Sequence, residues 1–313
     1  MGRGKTISRR LFDDARDFFK KYENNKTRQI YTFAYRKFID YCRSEHQSKT
    51  KEDCEKHVED YIEYLKHKGV TASTLHTYLA SICVYHDIPM QTYKKPTRHV
   101  SEYCRGRINN GKKKRNDSDL ENPKYSRLVE FQKRVGIRRN ELKNLRGCDF
   151  YQNNGNYYVY VRRGKGGKKT FQRLIPEDVE FVKSYFDGTE NPVFTKEEMK
   201  NKLPLHYLRA KFAQRSYLYY LKLAEDPETR DKLEAEVRAR WNKCNINPKT
   251  GKPKYLPKRL IEGYYYLRGK PRQFAKQHAL PIRYNKLALL SCSLFSLSHF
   301  RNDVSIASYI LLL

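Results

Sequence analysis

Four separated segments carry side chains suited to one task, the cleavage of a phosphodiester. The first is Gly136-Ile137-Arg138-Arg139-Asn140-Glu141-Leu142, and the second is Gly164-Lys165-Gly166-Gly167-Lys168. The third is His206-Tyr207-Leu208-Arg209. The fourth is Leu297-Ser298-His299, with Tyr309 following ten residues after the histidine. Attack on a DNA phosphate places extra negative charge on the non-bridging oxygens in the transition state. Guanidinium groups meet that charge with planar forks of donors and stay protonated at any accessible pH. Arg138 and Arg209 are the candidates for such a clamp, an electrostatic device aimed at developing charge. A lysine on a turn carries a transferable proton for the leaving 5′ oxygen, a role closed to arginine. Lys165 is that candidate, with Lys168 and Lys169 in the same turn as competitors that would contact the phosphate backbone. His206 and His299 can donate to the phosphate or shuttle a proton from the nucleophile. A phenol can attack phosphorus and hold it as a covalent ester. The chain offers 26 tyrosines for that role.

Helical and strand patterns divide the chain that must position these groups. Residues 1–90 read as a bundle of four short amphipathic helices. One lies near Leu11 to Tyr22, one carries the stripe Ile30, Ala34, Phe38 and Ile39, and two more carry Val58 to Leu65 and Leu75 to Ile82. Gly69 is a C-cap candidate, and Thr71 or Ser73 an N-cap. Residues 91–122 read as a basic interdomain linker. Arg105, Arg107, Lys112, Lys113, Lys114 and Arg115 lie there with no acid among them, a cationic strap suited to a phosphate backbone.

Residues 123–313 open with helices near Tyr125 to Val135 and Asn140 to Leu145. A three-stranded antiparallel sheet follows, with Asn153-Asn154-Gly155 as a hairpin signal and Tyr151, Tyr157, Tyr158 and Tyr160 as sheet packing. Beyond Pro176 the pattern reads as helical to the end. One helix is opened by Asp226-Pro227, and Tyr264, Tyr265 and Tyr266 read as a buried helix face.

In this order the four segments resemble the tyrosine recombinase family of phage-type integrases and Xer-type resolvases. The resemblance covers the chain from about residue 8 to the end. It includes Thr71-Ala72-Ser73-Thr74-Leu75, which looks like the start of the last core-binding helix. The family register favours Arg138 over Arg139, which is left as a surface or phosphate contact, and it favours Lys165 and Tyr309. Glu141 would orient the clamp arginine. The resemblance implies a mainly α fold, with a helical, SAM-like core-binding domain and a mixed α+β catalytic domain. It also implies cleavage through a 3′-phosphotyrosyl ester, with no metal and no cofactor. The partners implied are double-stranded DNA, three further copies in a homotetramer on paired sites, and an accessory directionality factor.

Three departures stand out. Ser298 occupies the place of a usual glycine. Some ninety residues separate Arg209 from His299, implying an extra helical excursion over 216–285. The tail after Tyr309 is too short for a long helix exchange between protomers. A topoisomerase of the same chemistry and a non-catalytic DNA-binding protein of the same fold are the alternatives.

Composition agrees with a polyanionic partner. Lys and Arg number 65 against 35 Asp and Glu, a formal net charge of +30, while 15 Phe join the tyrosines to supply a folded core. Seven cysteines without a C-x-x-C pair suggest reduced thiols inside a cell, and no apolar run reaches membrane-spanning length. The expected location is the cytoplasm, with the nucleoid. Two Cys-x-x-His pairs, Cys54 with His57 and Cys83 with His86, have the spacing of zinc ligands, but amphipathic helices already account for them. Asp178, Glu180 and Lys183 lack metal-nuclease spacing.

Overall fold

The computed structural model describes residues 7–99, 118–164, 169–247, 249–298 and 302–310. The chain divides into two units, Met1–His99 and Val100–Leu313. In the first, α1 (Ile7–Phe19), α2 (Asn25–His46), α4 (Val58–His67) and α5 (Ala72–His86) match the four expected stripes, and a short α3 (Lys51–Glu55) joins α2 to α4. Asn24 caps α2 by accepting from the Lys26 and Thr27 amides. Thr50 and Asp53 close a capping box on α3. Gly69 turns the chain after α4 at φ +66, and Thr71 caps α5.

Tyr35, rather than Ile30, completes the buried stripe of α2, because its hydroxyl meets the buried His86 imidazole at 2.9 Å. Residues past 90 still belong to this unit. Tyr93 is buried in its core, and His76 bonds the Pro96 carbonyl.

The second unit begins with α6 (Ser118–Glu121), α7 (Ser126–Val135) and the one-turn α8 (Arg139–Leu142). Strands β1 (Phe150–Asn153), β2 (Asn156–Val161) and β3 (Thr170–Arg173) form the antiparallel sheet in that order. Asn154 and Gly155, both at positive φ, make the two-residue turn that fixes Asn153 opposite Asn156. Val159 and Val161 face the core, while Tyr160 stacks with Phe171 on the other side.

Short α9 (Val179–Lys183) and α10 (Lys196–Met199) lead to α11 (Leu205–Glu225), the central element. Leu205 and Leu208 join the core cluster around α7 and the sheet. Ala213, Tyr217, Tyr220 and Ala224 join the second cluster, built with α12 (Pro227–Cys244) and α14 (Lys286–Ser291). Helix α11 buries ten of its residues along its length because it threads both. Asp226 caps α12, whose inward face is Leu233, Val237 and Trp241.

The C-terminal region is not wholly helical. Residues 264–266 form β4 (Tyr264–Tyr266), paired antiparallel with β5 (Arg283–Asn285) around α13 (Gly269–Gln277). Aromatic residues favour a pleated surface, and the pairing turns Tyr264 and Tyr266 outward instead of burying a helix face. The excursion over 216–285 therefore combines helices with a short antiparallel ladder. After α14 the helix widens into a π-type turn over Cys292–Ser296, and α15 (Asn302–Ser305) runs into a second one at Ile306–Ile310. No helix among the described residues is long and apolar enough to cross a membrane.

Candidate active site

Helix α7 ends at Gly136 in the left-handed conformation, φ +63, and a Cβ there would overlap the Phe212 ring of α11. This contact brings the start of α8 against the first turns of α11. Arg138 sits at the N-cap of α8. The buried Glu141 carboxylate accepts from the Arg138 backbone amide and from its guanidinium, each at 2.6 Å. The contact is one through which Glu141 can orient Arg138.

His206 and Arg209 lie one turn apart at the start of α11, so they share a face. His206 is exposed, whereas Arg209 is only 1% exposed. The Arg209 guanidinium donates to the Gly136 carbonyl and, at 2.9 Å, to the Leu297 carbonyl. Its Nε is buried with no partner among the described residues. Burial lowers the Arg209 pKa from the usual arginine value, and the nearby Tyr309 phenol opposes that shift. A buried cation with spare donors is costly unless an anion completes it.

Tyr309, in the last π-type turn, is 9% exposed. Its ring lies 5.3 Å from the Arg209 guanidinium carbon and 5.3 Å from the His206 ring centroid. Gln214 of α11 donates to the Tyr309 carbonyl and so ties the tail segment to the central helix. A cleft of about 360 Å³ opens beside these groups, lined by Arg138, Arg139, Pro204, His206 and Arg209.

Arg138, His206, Arg209 and Tyr309 are thus brought together from three distant segments. Lys165, Lys168 and His299 lie outside the described residues, as do Arg105, Arg107, Lys112, Lys113, Lys114 and Arg115. Lys169 is exposed just before β3. Leu297 reaches the site by accepting from Arg209, and Ser298 follows at φ +53. The left-handed geometry a glycine would take there without strain is met by serine.

Arg139, expected at the surface, is half-buried: it donates to the Asn201 side chain and to the Asn201 and Leu203 carbonyls, fixing the loop before His206, and it also lines the cleft. Sequence reasoning also missed Gln132. Buried in α7, it donates to the carbonyls of Ile137 and Leu205 and so bridges the two arginine segments. A glutamine on an otherwise apolar helical face was the available signal; Gln214 gave none. Asp178 is an ion-pair partner of Arg215 and Arg134, which explains its burial without a metal.

No protein-family model matches the chain, and no curated protein is similar to it. Among solved structures, similarity is found to the XerA recombinase, at 16% identity over 70% of this chain and 86% of that chain, with a TM-score of 0.24. It is also found to the XerH site-specific recombinase bound to its difH substrate in a pre-cleavage complex. That match has 17% identity over 62% of this chain and 70% of that chain, with a TM-score of 0.33. These are distant similarities, and the functional reading rests on the side chains of this chain.

Proposed function

We propose that this protein is a tyrosine-type site-specific DNA recombinase that breaks and rejoins duplex DNA. The observation that carries the reading is the approach of His206 and the buried, incompletely paired Arg209 to the Tyr309 ring, beside a cleft that both share with Arg138. The Tyr309 oxygen attacks phosphorus, the bond from phosphorus to the 5′ oxygen breaks, and a 3′-phosphotyrosyl ester forms. His206, with His299, takes the phenol proton, and Lys165 protonates the departing 5′ oxygen. Arg138 and Arg209 hold the non-bridging oxygens as their charge grows. The ester conserves the energy of the broken bond, so religation by a 5′ hydroxyl needs no nucleotide cofactor. Four protomers on two DNA sites make the reactive assembly, aided by an accessory directionality factor. The nucleoid is the place of action.

The test is covalent trapping on a library of nicked suicide duplexes, with the adducts resolved on a denaturing gel and their DNA sequenced. The wild-type chain forms an adduct, and Tyr309→Phe abolishes it while retaining DNA binding. An adduct that persists in Tyr309→Phe removes the assignment. Relaxation of a supercoiled plasmid by monomers, with no recombinant product, would instead mark a topoisomerase.

A further inference from the structure

The first unit carries a cluster that the DNA chemistry does not use. His46 is the last residue of α2, His57 immediately precedes α4, and Asp60 lies in the first turn of α4. Their ligand atoms all fall within 4.8 Å of one another. The two imidazoles stack with centroids 3.7 Å apart and planes 9° from parallel. Each turns a nitrogen toward the same carboxylate oxygen: His57 Nδ1 is 3.3 Å and His46 Nε2 is 3.8 Å from Asp60 Oδ2. We propose that His46, His57 and Asp60 form a zinc site that fastens the end of α2 to the start of α4.

The distances are close to those a metal requires. A tetrahedral zinc with bonds of about 2.0–2.1 Å separates its ligand atoms by about 3.3 Å. The pair His57 and Asp60 already meets that spacing, His46 Nε2 stands about half an ångström too far from Asp60 Oδ2, and the two imidazole ligand atoms lie within 4.8 Å of each other. A metal lies in the plane of the imidazole that holds it, so His46 must turn out of the stack to aim at the ion that His57 and Asp60 share, a rotation that the broad terminal torsion of histidine permits. The ring is a quarter exposed, so it has room, although its Nε2 must leave the Tyr41 hydroxyl at 3.2 Å. Three protein ligands leave the fourth position to water.

The scaffold is fixed beforehand. Gln47 and Ser48 bond back to the carbonyls of Arg43 and Cys42 as the chain leaves α2. The capping box on α3 pins the middle of the connection, and the buried Cys54 anchors it from inside. Cys54 therefore faces the core while His57 faces out, so the Cys-x-x-His spacing at 54–57 does not chelate as a pair. In the other pair, His86 is already bonded to Tyr35 and Glu55. The zinc ligand set instead combines His57 with residues from two helix ends.

Calorimetric titration of zinc chloride into the chelator-stripped full-length chain tests this. One equivalent binds, and the thermal midpoint rises with zinc. His46→Gln and His57→Gln each weaken binding by at least about tenfold and remove the thermal shift, as loss of one of three ligands requires. Circular dichroism verifies that both variants stay folded. A Cys104→Ser, Cys148→Ser, Cys244→Ser variant binds as the wild type does, and the cobalt(II) spectrum shows tetrahedral bands without thiolate charge transfer. Absence of binding, binding unmoved by both histidine substitutions, or a thiolate band would each overturn the site.

Discussion

Glu141 spends both carboxylate oxygens on Arg138, one on its amide and one on its guanidinium. The pairing fixes the direction of a cation that lines the cleft, so the proposed function makes Glu141 a positioning residue that acts through Arg138. Arg138→Ala is expected to lower single-turnover cleavage of the trapped substrate by about 10²–10³, the scale of losing a principal oxyanion donor. Glu141→Gln should lower it by about 10–100-fold, with DNA affinity nearly unchanged. The double variant should be no slower than Arg138→Ala alone, because the second loss is transmitted by the first residue. Additive losses in that cycle would show that Glu141 contributes by a separate route. At Arg209 the balance differs: the guanidinium is buried and bonded to two carbonyls, so removing it disturbs packing as well as chemistry.

At the scale of elements, His86 of α5 is a titratable group held inside the first unit. Its side chain is buried between the Tyr35 hydroxyl and the Glu55 carboxylate. Burial lowers its pKa from the usual histidine value, outweighing the pull of Glu55, while Lys51 adds to the lowering. The folded unit therefore prefers the neutral ring, and the unfolded chain takes up the proton first as pH falls below about 6.5. The associated stability is present above that pH and is lost as pH falls toward the folded value, by at most about 1.4 kcal/mol per unit. Hydrogen exchange in α2 and α5 of the full chain, corrected for intrinsic rates, should show reduced protection at pH 5 relative to pH 7.5. His86→Gln should flatten that dependence, and an unaltered slope would assign it to another group.

The four longer helices of this unit were legible because each has an apolar stripe, helped at α5 by the Thr71 cap; the five-residue α3 is too short to show one. The β1–β2 hairpin was legible from Asn154 and Gly155. The β4–β5 ladder was not, since its strands are three residues long and pair across a helix, leaving no local period to read. The four described catalytic candidates were legible as residue types in order. Gln132, Gln214 and the inward turn of Arg139 depend on which carbonyls the fold leaves without partners, and no local pattern encodes that.

For the whole molecule the governing quantity is the charge of +30. Several acids of the second unit are committed to local pairs, such as Glu130 with Lys133 and Arg134, and Asp178 with Arg215. They offset neighbouring cations locally and leave the excess positive charge facing solvent, where it would attract the DNA of the proposed function. Each phosphate neutralised releases condensed counterions, so the logarithm of affinity should fall linearly with the logarithm of salt, by about 0.9 per phosphate. Six or more such contacts correspond to a loss of at least about 10³ in affinity between 50 and 200 mM salt. Fluorescence anisotropy with a labelled duplex measures that slope. Replacing Lys112, Lys113, Lys114 and Arg115 together with glutamine should flatten it by up to about 3.6, four contacts at about 0.9 each. The loss should be the same on unrelated sequences, because backbone contacts carry no base information. A slope unchanged by the fourfold replacement would place the phosphate contacts elsewhere on the chain, and a loss confined to one sequence would mean that this segment reads bases.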